Sequence, residues 1–108
     1  PETQVVLPLL DGDLAELLLA VATGTLSQVE PPRVAAGAAV GVVLASPGYP
    51  GPIRTGLPIS GLEAVPPGVL LFHAGTRRAA DGSVLTAGGR VLTAVGLGDD
   101  LAAARERA

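Results

Sequence analysis

A chain of 108 residues that is 48% hydrophobic but only 2% aromatic has room for one modest core, built from Leu, Val, Ile and Ala. It has no cysteine and one histidine, which excludes a disulfide framework, thiolate-ligated zinc and any multi-histidine metal site. The net charge is -3 and the seven positive residues are all arginines scattered from Arg33 to Arg107, which argues against a nucleic-acid surface; the lack of lysine excludes a biotinyl or lipoyl carrier, Schiff-base catalysis and a P-loop.

No apolar run approaches the roughly 20 residues of a membrane-spanning helix, and no basic segment precedes an apolar stretch at the start. A soluble chain with no membrane partner is therefore expected. Without methionine, and starting in mid-motif at Pro1, the sequence reads as a segment of a longer polypeptide.

In chain order, Asp11 to Thr23 is the first predicted helix, with Leu14, Leu17, Leu18 and Val21 at helical spacing. Asp13 followed by Glu16 fits a capping box, and Gly24 is a natural stop. Glu30 to Arg33, with Pro31-Pro32, is a loop. Ala38 to Ala45 reads as a strand, and its continuous apolarity predicts burial on both faces. It runs into Ser46 to Pro52, too rich in proline and glycine to be anything but a shaped loop. Leu57 to Leu62 is a short edge segment and Glu63 to Pro67 a connection. Val69 to Phe72 and Arg90 to Val95 are apolar runs of β-formers, expected as strands with a turn at Asp81-Gly82 between them. Asp99 opens a final helix whose acidic front and basic back, Arg105 and Arg107, match its dipole. The predicted fold is α+β, a mainly antiparallel sheet of 38–45, 69–73, 83–87 and 90–96 flanked by helices near 13–23 and 100–107. Leu17, Val21, Val43, Leu71, Phe72 and Val91 are its expected core.

The residues that can carry chemistry gather late in the chain. His73 and Thr76 sit where the first strand of the pair ends, and alternation turns His73 away from Phe72. Gly88-Gly89-Arg90 presents a bare backbone just before an arginine, which suits close approach of a charged ligand and equally suits a β-bulge. Tyr49 can seal the edge of the core with its ring or reach a site with its hydroxyl. Ser46, His73 and an aspartate could form a nucleophilic triad, but Ser46 precedes proline and lacks the G-x-S-x-G elbow. Unaided, these residues describe a small α+β domain with an arginine-bearing, glycine-rich hairpin.

Taken together, PETQVVLP at 1–8, ASPGYPG at 45–51, HAGTR at 73–77 and TAGGRVL at 86–92 occur in an order and spacing that resemble the C-terminal region of the phosphoribosylamine-glycine ligases. That family usually reads FHAGTK and TNGGRVL, so Arg77 stands where lysine is usual and Ala87 where asparagine is usual. Ile53 replaces a common second tyrosine. The resemblance spans Pro1 to about Arg105. It implies the C-terminal domain of an ATP-grasp ligase, with residues 1–10 ending the catalytic core and 11–108 forming a C-terminal domain cut short at its end. It further implies a cytoplasmic enzyme of purine biosynthesis that joins glycine to 5-phosphoribosylamine through a glycyl phosphate. ATP and magnesium would be held mainly by the remaining domains, so this segment alone is expected to be inactive, with no catalytic residue and no metal ligand. By the same resemblance Arg77 and Arg90 would bind the substrate phosphate, and His73 would orient the Gly75-Thr76-Arg77 turn beside Gly88-Gly89-Arg90, with Thr76, Gly88, Gly89, Tyr49 and Glu2 completing the site. The alternative is a non-catalytic module that packs against a larger enzyme body.

Overall fold

The computed structural model describes residues 1–108. Helix α1 (Glu2–Val6) and a 3-10 turn (Leu7–Leu9) lead into strand β1 (Leu10–Asp11), then α2 (Leu14–Thr23), a second 3-10 turn (Leu26–Gln28) and β2 (Arg33–Val34). The two short strands pair antiparallel as a ribbon. There follow β3 (Ala38–Ala45), β4 (Pro58–Ile59), β5 (Val69–His73), β6 (Thr76–Arg78), β7 (Val84–Thr86), β8 (Arg90–Gly98) and α3 (Leu101–Arg107).

Both predicted helices form, and for the expected reason. Asp13 Oδ1 accepts the N–H groups of Ala15 (2.8 Å) and Glu16 (3.1 Å), and Gly24 closes α2 at φ 72. Asp100 Oδ1 accepts the Ala103 N–H at 2.8 Å, and Arg105 and Arg107 occupy the last turn of α3. Helix α1 was not anticipated from the sequence. It lies against β3 where Gly41 has no side chain, since a Cβ there would stand 2.9 Å from Val5 Cγ1.

The strands divide into two three-stranded antiparallel sheets, not one. The larger has the order β3-β8-β5 and the smaller the order β4-β7-β6. As expected, β5 pairs with the apolar run that follows Arg90, from Val69 opposite Gly96 to His73 opposite Leu92. The turn at Asp81-Gly82 does not join those two strands, however. It closes a separate hairpin, β6–β7, inserted between them, and the predicted strand at 83–87 belongs to this second sheet. A length of 69–95 is too long for one hairpin with a tight turn, and the surplus folds into a hairpin of its own.

The core lies on the central strand. Val91, Leu92, Thr93, Val95 and Gly96 of β8 are buried, together with Ala104 of α3. Gly96 and Gly98 allow this packing: a Cβ on Gly96 would collide with the Ala104 carbonyl, and one on Gly98 would stand 2.6 Å from the Ala104 nitrogen. Of the expected core residues Val91 is buried and Leu17, Leu71 and Phe72 are half-buried. Val21 and Val43 are corrections, being 57% and 36% exposed. Helix α2 packs on its own following turn, not on a sheet, and β3 is an edge strand. For the same reason 38–45 is not buried on both faces: Ala38 to Val40 are half-buried and Gly41 to Ala45 are exposed.

The β6–β7 turn carries a carboxylate whose titration is perturbed by its own hairpin. Asp81 Oδ1 accepts the Ser83 hydroxyl (2.7 Å) and the Ser83 N–H (3.0 Å), and these two bonds hold its carboxyl below the ordinary value. A lowered folded pKa gives stability that is present above the unfolded pKa of about 3.9 and is lost as pH falls through the folded value. Thermal melts from pH 7 to pH 2 should therefore show Asp81→Asn less stable than the parent at neutral pH, with the gap closing in acid. A gap that stays constant across this range would show that the carboxylate contributes nothing.

Candidate functional site

Strand β5 ends at His73, and from Thr76, after only two intervening residues, the chain belongs to the other sheet. The Ala74 N–H donates to the Val91 carbonyl (2.9 Å) and the Gly75 N–H to the Arg90 carbonyl (2.8 Å), both on β8. The Gly75 carbonyl then accepts the Ala87 N–H at 2.7 Å, on the far side of the junction. A Cβ at Gly75 would stand 2.6 Å from the Arg90 oxygen and 2.7 Å from Gly88 Cα, so backbone meets backbone with nothing between.

A second set of contacts holds Gly88 and Gly89 from the other side. Ser46, 3% exposed, donates its hydroxyl to the Gly88 carbonyl at 2.7 Å and its N–H to the Gly89 carbonyl at 2.8 Å. The Tyr49 ring lies over Gly89, where a Cβ would stand 2.8 Å from Tyr49 Cδ2. The loop that presents both is tied by its own backbone, with Tyr49 N–H to Ser46 oxygen (3.1 Å) and Arg54 N–H to Pro47 oxygen (3.0 Å). The bare glycines thus accommodate the protein's own backbone and ring. There is also a bulge: Leu44 faces Leu92 but Ala45 faces Arg90, leaving Val91 as the extra residue.

The bulge decides what Arg90 faces. Paired residues share a face, and Val43 pairs with Thr93. Ala45 is two residues on from Val43 and so lies on the same face, which brings its partner Arg90 to the face of Thr93. Without the extra residue Val91 would stand there. The result is a cleft of about 380 Å³ lined by Glu2, Gln4, Val43, Ala74, Arg90 and Thr93 among others. Gln4 Oε1 is buried there without a hydrogen-bond partner. Glu2 is held below the ordinary carboxylate value first by its own backbone N–H, with a weaker contribution from the Arg90 guanidinium.

Other expected site residues lie around this cleft, not all within it. His73 is exposed and its Nδ1 is 3.0 Å from Thr76 Oγ1, so it braces the start of β6. Arg77 is exposed on β6 opposite Leu85 and is not among the lining residues of the cleft. Arg78 bonds the Gly82 carbonyl at 3.2 Å within its hairpin. Tyr49, Gly88 and Gly89 support Arg90 from behind, and Thr93 and Gln4 were missed from the sequence. A polar β-former in the apolar run Val91 to Val95 was the available signal for Thr93. A larger cleft of about 490 Å³ lies between α2 and the Pro31-Pro32 loop, lined by Asp11, Asp13, Glu16 and Glu30. It is far from the glycine junction in the fold, and Asp13 there is committed to capping. No three His, Asp or Glu side chains are grouped so as to hold a metal ion.

Residues 39–108 match the family model described as phosphoribosylglycinamide synthetase, C domain. The chain belongs to this family. It is 53% identical over 112 residues to the phosphoribosylamine-glycine ligase of Streptomyces coelicolor, covering 100% of this chain and 27% of that protein. Its likeness to the corresponding ligase of Mycobacterium tuberculosis is 52% over 108 residues, or 25% of that protein. The crystal structure of the Thermotoga maritima phosphoribosylamine-glycine ligase superposes with a TM-score of 0.72 at 34% identity, covering 99% of this chain and 25% of that one. The chain thus spans about a quarter of the length of the curated relatives it matches. The expected α+β class and the resemblance read from PETQVVLP, ASPGYPG, HAGTR and TAGGRVL are both borne out.

The family's two glycine motifs, 73–77 and 86–92, are the two sides of the sheet junction, and this generates a stability prediction. Gly75→Ala must push its methyl into backbone and should cost about 1–3 kcal/mol. Gly89→Ala meets only the half-exposed Tyr49 ring, which can swing aside, and should cost less. Urea unfolding of both variants checks the order; equal costs would mean that the junction yields more than its contacts imply.

Proposed function

We propose that this chain is the C-terminal part of a cytoplasmic ligase that joins glycine to 5-phosphoribosylamine at the expense of ATP, and that its cleft forms one wall of the acceptor site. The observation that supports the reading most directly is Arg90, turned by a bulge onto the same cleft as Thr93 and Gln4 in a chain that aligns over its whole length with about a quarter of such ligases. The acceptor carries a phosphate, and each charge-assisted hydrogen bond from a guanidinium to a phosphate oxygen is worth roughly 1.5–3 kcal/mol. Thr93 can donate a hydroxyl to the same anion. Gln4 Oε1, without a partner, is suited to accept from a ribose hydroxyl or the amine.

In the proposed reaction the glycine carboxylate takes the terminal phosphoryl group of ATP, and the ribosylamine nitrogen attacks the resulting acyl carbon. The carbon–nitrogen bond forms as phosphate leaves and the amine loses a proton. This chain's residues would take no proton in that sequence. His73 is engaged with Thr76 and acts as a brace for the turn, while Arg77 adds positive charge on the adjoining sheet. ATP and magnesium would be held by the rest of the ligase. That remainder is also the proposed partner of the apolar surface left open on this chain, where Leu18 and Leu19 of α2 are 58% and 63% exposed.

The competing reading, a packing module without ligand contacts, makes a different forecast for the full-length ligase. Arg90→Ala should raise KM for phosphoribosylamine roughly ten- to hundredfold, with KM for ATP and for glycine within about twofold. If only the melting temperature falls, the packing module is the better description. His73→Asn, which keeps one hydrogen bond and cannot titrate, should leave kcat within about tenfold of the parent. A fall of a hundredfold or more, with acceptor affinity unchanged, would put His73 in the chemistry.

A further inference from the structure

Given the reading of Arg90 as a phosphate contact, on which this inference rests, we infer that Ser46 is the residue that positions it, by locking the bulged register of β8. Arg90 lines the cleft only because Val91 is an extra residue between the pairs Leu44–Leu92 and Ala45–Arg90. A slip of one residue in a strand moves every following side chain to the opposite face. The regular register would bring Val91 to the cleft and turn Arg90 away from it. Something must therefore hold the strand in the bulged arrangement at the end where Arg90 lies.

Ser46 is placed to do this. It directly follows Ala45, the residue that faces Arg90, and it holds the two residues that directly precede Arg90 through both its hydroxyl and its N–H. The Ser46 side chain is buried and Gly88 half-buried, so a Ser46 side chain without its hydroxyl would leave the Gly88 carbonyl short of its partner inside the protein. The Gly75 N–H bond to the Arg90 carbonyl clamps the same strand from the opposite edge. That bond, with the neighbouring Ala74 N–H to the Val91 carbonyl, fixes where the backbone of Arg90 lies on the β5 side, whereas the offset against β3 is set by Ser46. The hydroxyl that sequence reasoning weighed as a nucleophile thus acts on the site through the backbone, with its proton committed to a carbonyl.

The test is a double-mutant cycle in the full-length ligase, with KM for phosphoribosylamine, ATP and glycine and the melting temperature measured for each protein. Ser46→Ala should raise KM for phosphoribosylamine about tenfold while KM for ATP and glycine stays within about twofold, and Ser46→Thr, which keeps the hydroxyl, should restore most of it. In the Arg90→Ala background Ser46→Ala should have no further effect on that KM. If Ser46→Ala lowers the melting temperature and leaves all three KM values unchanged, Ser46 is merely structural and the inference fails. If the two substitutions multiply, Ser46 acts independently of Arg90 and the inference also fails. An Arg90→Ala variant with unchanged KM would instead overturn the reading of the cleft itself. Should Ser46→Ala fail to accumulate as folded ligase, Ser46→Cys, with a weaker donor, is held to the same criteria.

Discussion

Everything in this domain is referred to the backbone contact between Gly75 and Gly88. Two sheets meet there at a separation that leaves no room for a Cβ, and the hydrogen bonds of Ala74, Gly75 and Ala87 pass the chain from one sheet to the other. Backbone groups pressed together at such a junction are best satisfied by one another. Ala74 and Gly75 find their partners on β8, and Ala87 finds its own at Gly75, which makes the central strand both the core of the larger sheet and the anchor of the smaller one. The approach of α3 onto Gly96 and Gly98 repeats the same device at the other end of the strand. A chain with one phenylalanine and one tyrosine cannot fill wide gaps with aromatic rings, and close backbone packing at glycines is how it reaches interior density instead.

The cleft follows from this arrangement. Its floor is the exposed face of the β3–β8 pair, its rim is α1, and its charge is that of Arg90 opposed by Glu2. Both charges are solvent-exposed, so their attraction is weak and screened by salt. An anion arriving at Arg90 therefore displaces little. Under the proposed reading the specificity of such a site would reside in where the guanidinium is held, which is a matter of strand register and loop support. The loop of Ser46 to Pro52, stiffened by its prolines and its internal bonds, supplies that support.

The distribution of apolar surface has a separate meaning. The chain is 48% hydrophobic, yet Leu18, Leu19, Val21, Val34 and Val42 are all close to half exposed or more. These residues lie on α2, β2 and the edge strand β3. Composition counts how much a chain can bury, not whether it buries it against itself. In a family whose ligases are about four times as long as this chain, the proposed use of the difference is an interface with the remainder of the ligase.

What the sequence determined by itself is local. Helix ends followed from Asp13 and Gly24, and to within one residue from Asp99, because capping is settled within one turn of chain, and strand positions followed from apolar runs for the same reason. The Asp81-Gly82 turn was legible, as was the importance of the two glycine motifs. What the tertiary structure decided is which strands share a sheet, and hence which side of Arg90 faces the cleft. Two runs such as Val69 to Phe72 and Val84 to Thr86 look alike to a pattern, and only the backbone contact at Gly75 assigns them to different sheets. Likewise Gly88-Gly89-Arg90 is compatible with a ligand cradle or a bulge until the partner strand shows Val91 as the extra residue. Pairing, register and burial depend on residues far apart in the chain, and the free energy that selects them is absent from any short window of sequence.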